Sequence, residues 1–355
     1  MTKFRTTLKF SKDAVRICAC ALTAALALSI APAVAGDCKP QTILTTVDMI
    51  PMASGRVFVP VQLGSVQKRM LLDTGGGFSE ISDAVASELQ LPQRRSRITQ
   101  VDVTGGSTNM IAHAPSFTLG TLAPTDADFI VRSRDGPYDR GNPEVAGILG
   151  PNLLRNYDVN LDFSGNKMIL ISPDHCAGKV VYWPAPVVAV IPMQVTSDGH
   201  IQVSVMLDGH PIDALLDTGA ARTTLNLQVA ESIFRLQPGT SDMRAIGHLG
   251  GDPYATVYMR HFRALVLEGI SVSNPRVDIA PDLVRNWMIG GNDTTGTRLS
   301  GRTGSLGLPD MILGMDILRN LHLYIAYAEN KLYVTPASAP DAPAADVPPP
   351  AAPAQ

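Results

Sequence analysis

The pentapeptide Leu71-Leu72-Asp73-Thr74-Gly75 recurs further along the chain as Leu215-Leu216-Asp217-Thr218-Gly219. The similarity extends well upstream of this motif. Residues 55–75 align with residues 199–219 without a gap, at a constant offset of 144. A match of this length at one fixed spacing indicates an internal repeat rather than a chance recurrence of a short motif.

A second pair of matching blocks follows the first pair. Ile148-Leu149-Gly150 and the Leu154-Arg155-Asn156 after it correspond to Ile312-Leu313-Gly314 and Leu318-Arg319-Asn320, at an offset of 164. The second copy therefore carries 20 more residues between its two blocks than the first copy. We expect the extra residues in the stretch 285–309, which is rich in glycine, threonine and serine.

Each copy has the pattern of short β-strands. In both, apolar residues alternate with polar or small ones, as in Val57–Leu63 and Ile201–Leu207, and glycine-containing turns recur about every ten residues. Short helical stretches are predicted after each Asp-Thr-Gly and after each Ile-Leu-Gly, at 83–89, 227–234, 152–156 and 316–320. The pattern predicts a mainly β protein with two lobes.

The chemistry of the repeated motif depends on its carboxyl group. A lone Asp-Thr-Gly fits a plain β-turn, but two copies at equivalent places, each after apolar strand residues, favour a paired site. Two carboxyls held about 3 Å apart cannot both ionise, so they share a proton. Such a pair takes a proton from water with one member and donates a hydrogen bond to a carbonyl with the other. Glycine allows the two backbones to approach closely.

Two Asp-Thr-Gly loops, each followed by Ile-Leu-Gly and a short helix, resemble the retropepsin-like and pepsin-like aspartic peptidases. The resemblance covers about residues 57–171 and 201–335. It implies two closed β-barrel lobes in tandem, with a pseudo-two-fold active-site interface. It also implies an aspartic endopeptidase that uses Asp73 and Asp217 as catalytic residues, with Thr74, Gly75, Thr218 and Gly219 supporting the loops.

The resemblance further implies glycine-tipped hairpins, here called flaps, that cover an extended peptide or protein substrate. Thr104-Gly105-Gly106-Ser107 lies between apolar stretches in the first copy, and Gly250-Gly251 lies in the corresponding region of the second. Gly105, Gly106, Gly250 and Gly251 are therefore the expected flap residues. The alternative is that both are ordinary surface turns.

The loops depart from the family pattern in one respect. Gly76 and Ala220 stand where family members often carry Ser, Thr or Ala, so neither loop has the hydroxyl of a Ser or Thr there. Such a hydroxyl would donate a hydrogen bond to a carboxylate and lower its pKa. Without it we expect a dyad of higher pKa, working in mildly acidic conditions.

The beginning of the chain reads as an export signal. The first 35 residues carry a net charge of +4, an apolar run of about 15 residues and the motif Ala33-Val34-Ala35. An uncleaved membrane anchor is the alternative. After cleavage only Cys38 and Cys176 remain, and a pair of cysteines in an oxidising compartment predicts a disulfide, with two free thiols as the alternative. We expect a periplasmic or secreted protein with no membrane contact after cleavage.

These features give a domain plan. We expect a signal peptide over 1–35, a first aspartic-peptidase lobe over 36–173, a proline-rich linker over 174–192, a second lobe over 193–336 and a Pro/Ala-rich disordered tail over 337–355. Removing the +4 of the signal from the net charge of −3 leaves −7, which argues against nucleic acid as a partner. The seven histidines form no metal-binding motif, so we expect neither a metal site nor a cofactor.

Two alternatives remain at this stage. The chain could be a catalytically silent peptide-binding or assembly module that keeps the two-lobed fold. It could also pair its lobes with those of another molecule, although a monomer with an intramolecular lobe pair is the expected form.

Overall fold

The computed structural model describes residues 38–101, 107–132, 142–197, 199–248, 253–281 and 309–337. The expected signal peptide, nearly all of the stretch 285–309 and the tail from residue 338 lie outside these ranges. Among the described helices, none has the length and apolar character needed to cross a membrane.

Most elements of the described part of the chain are strands, and the helices are short. The strands of the first copy are β1 (Ile43–Asp48), β2 (Ile50–Pro51), β3 (Val57–Leu63), β4 (Val66–Leu72), β5 (Glu80–Ser82), β6 (Gln93–Val101), β7 (Ser107–Leu119), β8 (Thr125–Arg132), β9 (Val145–Leu149), β10 (Asp158–Asp162) and β11 (Lys167–Ile171). Those of the second copy are β12 (Ala189–Val195), β13 (Ile201–Leu207), β14 (His210–Leu216), β15 (Thr224–Asn226), β16 (Arg244–His248), β17 (Thr256–His261), β18 (Ala264–Leu267), β19 (Ile270–Ser273), β20 (Arg276–Ala280), β21 (Met311–Leu313), β22 (Leu321–Ala326) and β23 (Lys331–Pro336). The helices are α1 (Asp83–Glu88), α2 (Pro151–Leu154), α3 (Leu227–Ser232) and α4 (Met315–Leu318).

The first lobe is a closed barrel of six strands. β3 pairs with β4, β4 with β9, β9 with β5, β5 with β8, β8 with β7, and β7 returns to β3. Side chains that alternate along β3, such as Val59, Val61 and Leu63, point into the barrel and are buried. Each fully buried side chain of this kind stabilises the fold by about 1.5–3 kcal/mol relative to an exposed one.

The second lobe repeats this ring. β13, β14, β21, β15 and β20 pair in the same order and with the same parallel and antiparallel senses. The counterpart of β7 is interrupted at Phe262 and Arg263, so β17 pairs with β20 and β18 closes the ring on β13. The expected fold class, mainly β with two closed barrel lobes in tandem, is confirmed.

A six-stranded antiparallel sheet joins the two lobes, in the order β1-β11-β10-β22-β23-β12. At its centre β10 of the first copy pairs with β22 of the second, with Val159 opposite Ile325 and Leu161 opposite Leu323. The stretch predicted as a proline-rich linker ends inside this sheet, because residues 189–192 pair with β23. Residues 189–192 of that stretch are therefore part of a β-strand. Pro192 fits here because residues 189–192 pair with β23 on one side only, and β12 pairs with β13 from Met193 onward.

The helices start where a side chain can satisfy the free amide groups of the first turn. The Ser82 hydroxyl accepts a hydrogen bond from the amide of Val85 (3.2 Å), and the Asn226 side chain accepts one from the amide of Gln228 (2.8 Å). α1 and α3 begin as predicted but end one or two residues early, since Gln90 and Arg235 turn into the left-handed region. α2 and α4 begin one residue before the predicted position.

The face of the joining sheet that lies away from the barrel cores is covered by the segment that leads from the first lobe to the second. Cys38 and Cys176 form the expected disulfide, with Cα atoms 4.8 Å apart. Beside it, Nε2 of His175 contacts Asp158 on β10 at 2.7 Å, and the Tyr324 hydroxyl on β22 donates to the same carboxylate at 3.2 Å. These buried contacts connect three distant parts of the chain at the junction between the lobes.

Candidate active site

Asp73 and Asp217 each follow the last residue of a buried strand, β4 or β14. The amide of Asp73 donates to the carbonyl of Leu149 (3.0 Å), and the amide of Asp217 donates to the carbonyl of Leu313 (3.1 Å). Both contacts continue the parallel pairing of β4 with β9 and of β14 with β21. The position of each aspartate is therefore set by its own barrel, and the two barrels present the pair to each other.

The two Asp-Thr-Gly loops pack against each other at very short range. A β-carbon placed on Gly75 would lie 2.3 Å from Cγ of Asp217, and one placed on Gly219 would lie 2.4 Å from Cγ of Asp73. Two carbon atoms in contact need about 3.5–4.0 Å. Only glycine can occupy these two positions while the carboxyls remain where they are.

Thr74 and Thr218 form a reciprocal set of hydrogen bonds across the lobe interface. Each threonine amide donates to the hydroxyl of the other threonine at 3.1 Å. The Thr74 hydroxyl donates to the carbonyl of Leu216 (2.7 Å), and the Thr218 hydroxyl donates to the carbonyl of Leu72 (2.9 Å). Both side chains are fully buried, so these four bonds fix the separation of the two loops without competition from water.

Backbone amides hold each carboxyl in place. Oδ1 of Asp73 accepts from the amides of Gly75 and Gly76, at 2.9 and 2.8 Å. Oδ1 of Asp217 accepts from the amides of Gly219 and Ala220, at 2.8 and 2.9 Å. The amides at the two positions that lack a hydroxyl side chain thus still contact the carboxylates.

Burial raises the pKa of Asp73 above its ordinary value, and the amides of Gly76 and Gly75 oppose that rise. Burial raises the pKa of Asp217 further, well above its ordinary value, and the neighbouring charge of Asp73 adds to the effect. Both pKa values are raised and the two carboxyls face each other, so they titrate as one pair that shares a proton. The pair therefore holds a proton under conditions in which a free carboxyl would have lost it.

Comparison with known proteins agrees with this geometry. A family model described as aspartyl protease matches residues 59–153 and again residues 203–317, one match in each lobe. The chain belongs to the aspartyl protease family. No curated protein matches the chain significantly.

Two solved structures similar to this chain differ in how much of it they cover. The basic 7S globulin from soybean has a TM-score of 0.44 at 12% identity, over 84% of this chain and 95% of the globulin. A retropepsin-like aspartic protease from Rickettsia conorii has a TM-score of 0.29 at 16% identity, over 43% of this chain and 95% of that one.

A second layer of polar side chains supports the dyad, and the sequence reasoning missed it. In the first lobe the side-chain oxygen of Asn152 accepts from the amide and the hydroxyl of Ser79, at 2.7 and 2.8 Å. In the second lobe Asp316 accepts in the same way from Thr223, at 2.8 and 2.7 Å. The internal repeat could have revealed these pairs, because Ser79 corresponds to Thr223 at the offset of 144 and Asn152 to Asp316 at the offset of 164.

Those hydroxyls also bind the Ile-Leu-Gly segments beside the dyad. Ser79 Oγ accepts from the amide of Gly150 (2.9 Å), and Thr223 Oγ1 accepts from the amide of Gly314 (3.1 Å). In the first lobe the Ser79 hydroxyl therefore connects the start of β5 to the end of β9. In the second lobe the Thr223 hydroxyl connects the start of β15 to the end of β21 in the same way. The lobes differ in charge at this layer, since the first uses an amide and the second a carboxylate.

Hairpins stand at the predicted flap positions of both lobes. β6 and β7 pair up to Val101 and Ser107, and β16 and β17 pair up to His248 and Thr256. The tips with Gly105, Gly106, Gly250 and Gly251 lie outside the described residues. Across the ranges that the structure describes, there is no group of three or more His, Cys, Asp or Glu residues able to hold a metal ion.

Proposed function

We propose that this member of the family is an active aspartic endopeptidase, which hydrolyses peptide bonds with a water molecule activated between Asp73 and Asp217. The observation that carries the proposal is the close approach of the two loops. Each motif glycine lies where any side chain would collide with the carboxyl of the opposite lobe. An arrangement that excludes every residue but glycine on both sides is expected where two carboxyls must act as one unit.

The two carboxyls share one proton, and in one of the two equivalent states Asp73 is ionised and Asp217 is protonated. Asp73, as the ionised member, accepts a proton from the water as its oxygen attacks the carbonyl carbon of the substrate. Asp217, as the protonated member, gives its proton to the carbonyl oxygen, which yields a neutral tetrahedral diol. In the second half, the amide nitrogen takes the proton held by Asp73, the C–N bond breaks, and a diol proton returns to Asp217. The dyad ends in its starting state.

The substrate class follows from the architecture. The outer strands of the two hairpins, β6 and β16, lie at the ends of their sheets, and such edges suit an extended peptide segment whose backbone pairs with them. The β10–β22 pairing and the threonine bonds support an intramolecular lobe pair, and hence a single site per monomer. The disulfide supports a periplasmic or secreted location, because such bonds persist in oxidising compartments.

The test is cleavage by the chain without its first 35 residues, together with Asp73→Asn and Asp217→Asn. Denatured casein and a peptide library are incubated with each protein at pH 3–7, with and without pepstatin. We expect cleavage by the unmodified protein, inhibition by pepstatin and loss of cleavage in both variants, since the proposed dyad needs both carboxyls. Thermal unfolding of the variants serves as the folding control.

Loss of activity in only one variant would contradict the shared dyad. No cleavage by a folded, unmodified protein would favour the second candidate, a silent peptide-binding module. Molecular mass in solution, measured under the assay conditions, distinguishes one site per monomer from a site formed between two molecules.

A further inference from the structure

Two long side chains stand at equivalent places beside the dyad and differ in chemistry. Phe78 lies five residues after Asp73, and Arg222 lies five residues after Asp217. The Phe78 residue is 42% exposed, and the Arg222 side chain is 52% exposed. Both follow the loops that carry the aspartates, each in its own lobe.

The backbone at both positions is rigidly related to the dyad. A β-carbon on Gly150 would lie 2.7 Å from the carbonyl carbon of Phe78, and one on Gly314 would lie 2.5 Å from that of Arg222. The next residue in each lobe is buried and hydrogen-bonded by Asn152 or Asp316. Two residues before Phe78 and Arg222, the amides of Gly76 and Ala220 donate to the carboxyls of Asp73 and Asp217. Two residues span at most about 7 Å, so both side chains start close to the reacting groups.

The free part of each side chain is available for a ligand. Arg222 approaches Asp316 only at 4.0 Å, and Oδ1 of that carboxylate already accepts two hydrogen bonds from Thr223. An exposed ion pair of this kind contributes little by itself, so the guanidinium keeps most of its capacity for another carboxylate. Phe78 offers an apolar surface where its counterpart offers a cation.

We propose that Phe78 and Arg222 determine substrate specificity, so that the preferred peptide has a large apolar side chain on one side of the cleaved bond and an acidic side chain on the other. The inference rests on the proposed endopeptidase function, which it makes more specific.

The experiment begins with cleavage-site profiling of the unmodified protein on a peptide library. One cleaved peptide with a Glu near the bond is then resynthesised with Gln and with Lys at that position. We expect kcat/KM to be about three- to fivefold higher for Glu than for Gln, as for an exposed ion pair. Arg222→Gln should remove the difference in kcat/KM between the Glu and Gln peptides. Arg222→Glu should make the Lys peptide the better substrate, and Arg222→Lys should keep the preference for Glu.

Phe78→Ala is the matched variant in the other lobe. It should leave the Glu/Gln ratio unchanged but lower the preference for a large apolar residue over alanine by about tenfold. A Glu/Gln ratio that is the same in Arg222→Gln as in the unmodified protein would overturn the role of Arg222. An unchanged apolar preference in Phe78→Ala would overturn the role of Phe78.

Catalysis and peptide specificity can be tested separately. If the folded protein cleaves nothing, the same peptides, labelled with a fluorophore, are tested for binding by anisotropy. Tighter binding of the Glu peptide that disappears in Arg222→Gln would support the specificity assignment while refuting catalysis. Equal binding of the Glu, Gln and Lys peptides would overturn the assignment.

Discussion

Replacing Gly219 by alanine tests whether catalytic activity requires the close approach of the two Asp-Thr-Gly loops. The new methyl carbon would start 2.4 Å from Cγ of Asp73. Contact between carbons needs about 3.5–4.0 Å, so the loops must separate by about 1.1–1.6 Å. The two amide-to-hydroxyl bonds between Thr74 and Thr218 are already 3.1 Å long, at the far end of the hydrogen-bond range, so they would break.

The expected loss follows from that displacement. Overpacking of this size costs about 1–3 kcal/mol of unfolding free energy. A shift of about 1 Å between catalytic groups costs about a hundredfold in rate, so we expect kcat/KM to fall by at least that factor. Gly75→Ala should behave alike, because its methyl carbon would start 2.3 Å from Cγ of Asp217. The measurements are peptide cleavage at the pH optimum and urea unfolding of the same preparations.

Gly76→Ala is the matched control. A β-carbon there would lie 3.2 Å from the nearest oxygen of Asp73, a small misfit, and Ala220 already occupies the equivalent position of the second lobe. We expect activity within about threefold of the unmodified protein, well below the cost of a 1 Å misplacement. Full activity in Gly219→Ala, or an equal loss in Gly76→Ala, would refute the reasoning.

Further predictions concern pH and the disulfide. Because burial raises the pKa of Asp217 well above the ordinary 3.8, the folded state binds a proton more tightly than the unfolded state, so stability falls as pH rises from 3.8 through the raised pKa. Asp217→Asn should make that slope shallower in urea unfolding at several pH values, and an unchanged slope would contradict the assignment. The pH–rate profile should peak in mildly acidic conditions, and a maximum below about pH 3 would be inconsistent with raised pKa values. Replacing both Cys38 and Cys176 by serine opens a loop with a sequence separation of 138, and should lower the unfolding free energy by up to about 5 kcal/mol without altering the dyad. An unchanged urea midpoint would show that the bond adds no stability.

Much of the fold could be predicted from the repeat alone. Alternating apolar residues in Val57–Leu63 and Ile201–Leu207 predicted strands that the structure has at those bounds. The two Asp-Thr-Gly motifs predicted a paired site, and the structure brings Asp73 and Asp217 together. The strand prediction is confirmed because it rests on a local pattern, and the two motifs meet because the partner of each is its own second copy.

Contacts without a local signature were not predicted. The polar pairs Ser79–Asn152 and Thr223–Asp316 join residues 73 and 93 positions apart. Nothing in the immediate sequence of either partner marks it. The His175–Asp158 contact beneath the joining sheet is of the same kind. Such pairs depend on how the strands are ordered in space, which side-chain periodicity does not encode.

The sequence by itself therefore determined the duplicated plan, the identity of the two aspartates and the need for glycine beside them. The tertiary structure decided how the two copies meet. It placed residues 189–192 in a sheet strand rather than in a linker, and it brought β10 against β22. The physical reason is that strand propensity is a property of a few neighbouring residues. Pairing between distant strands is settled only when both lobes bury their apolar faces together.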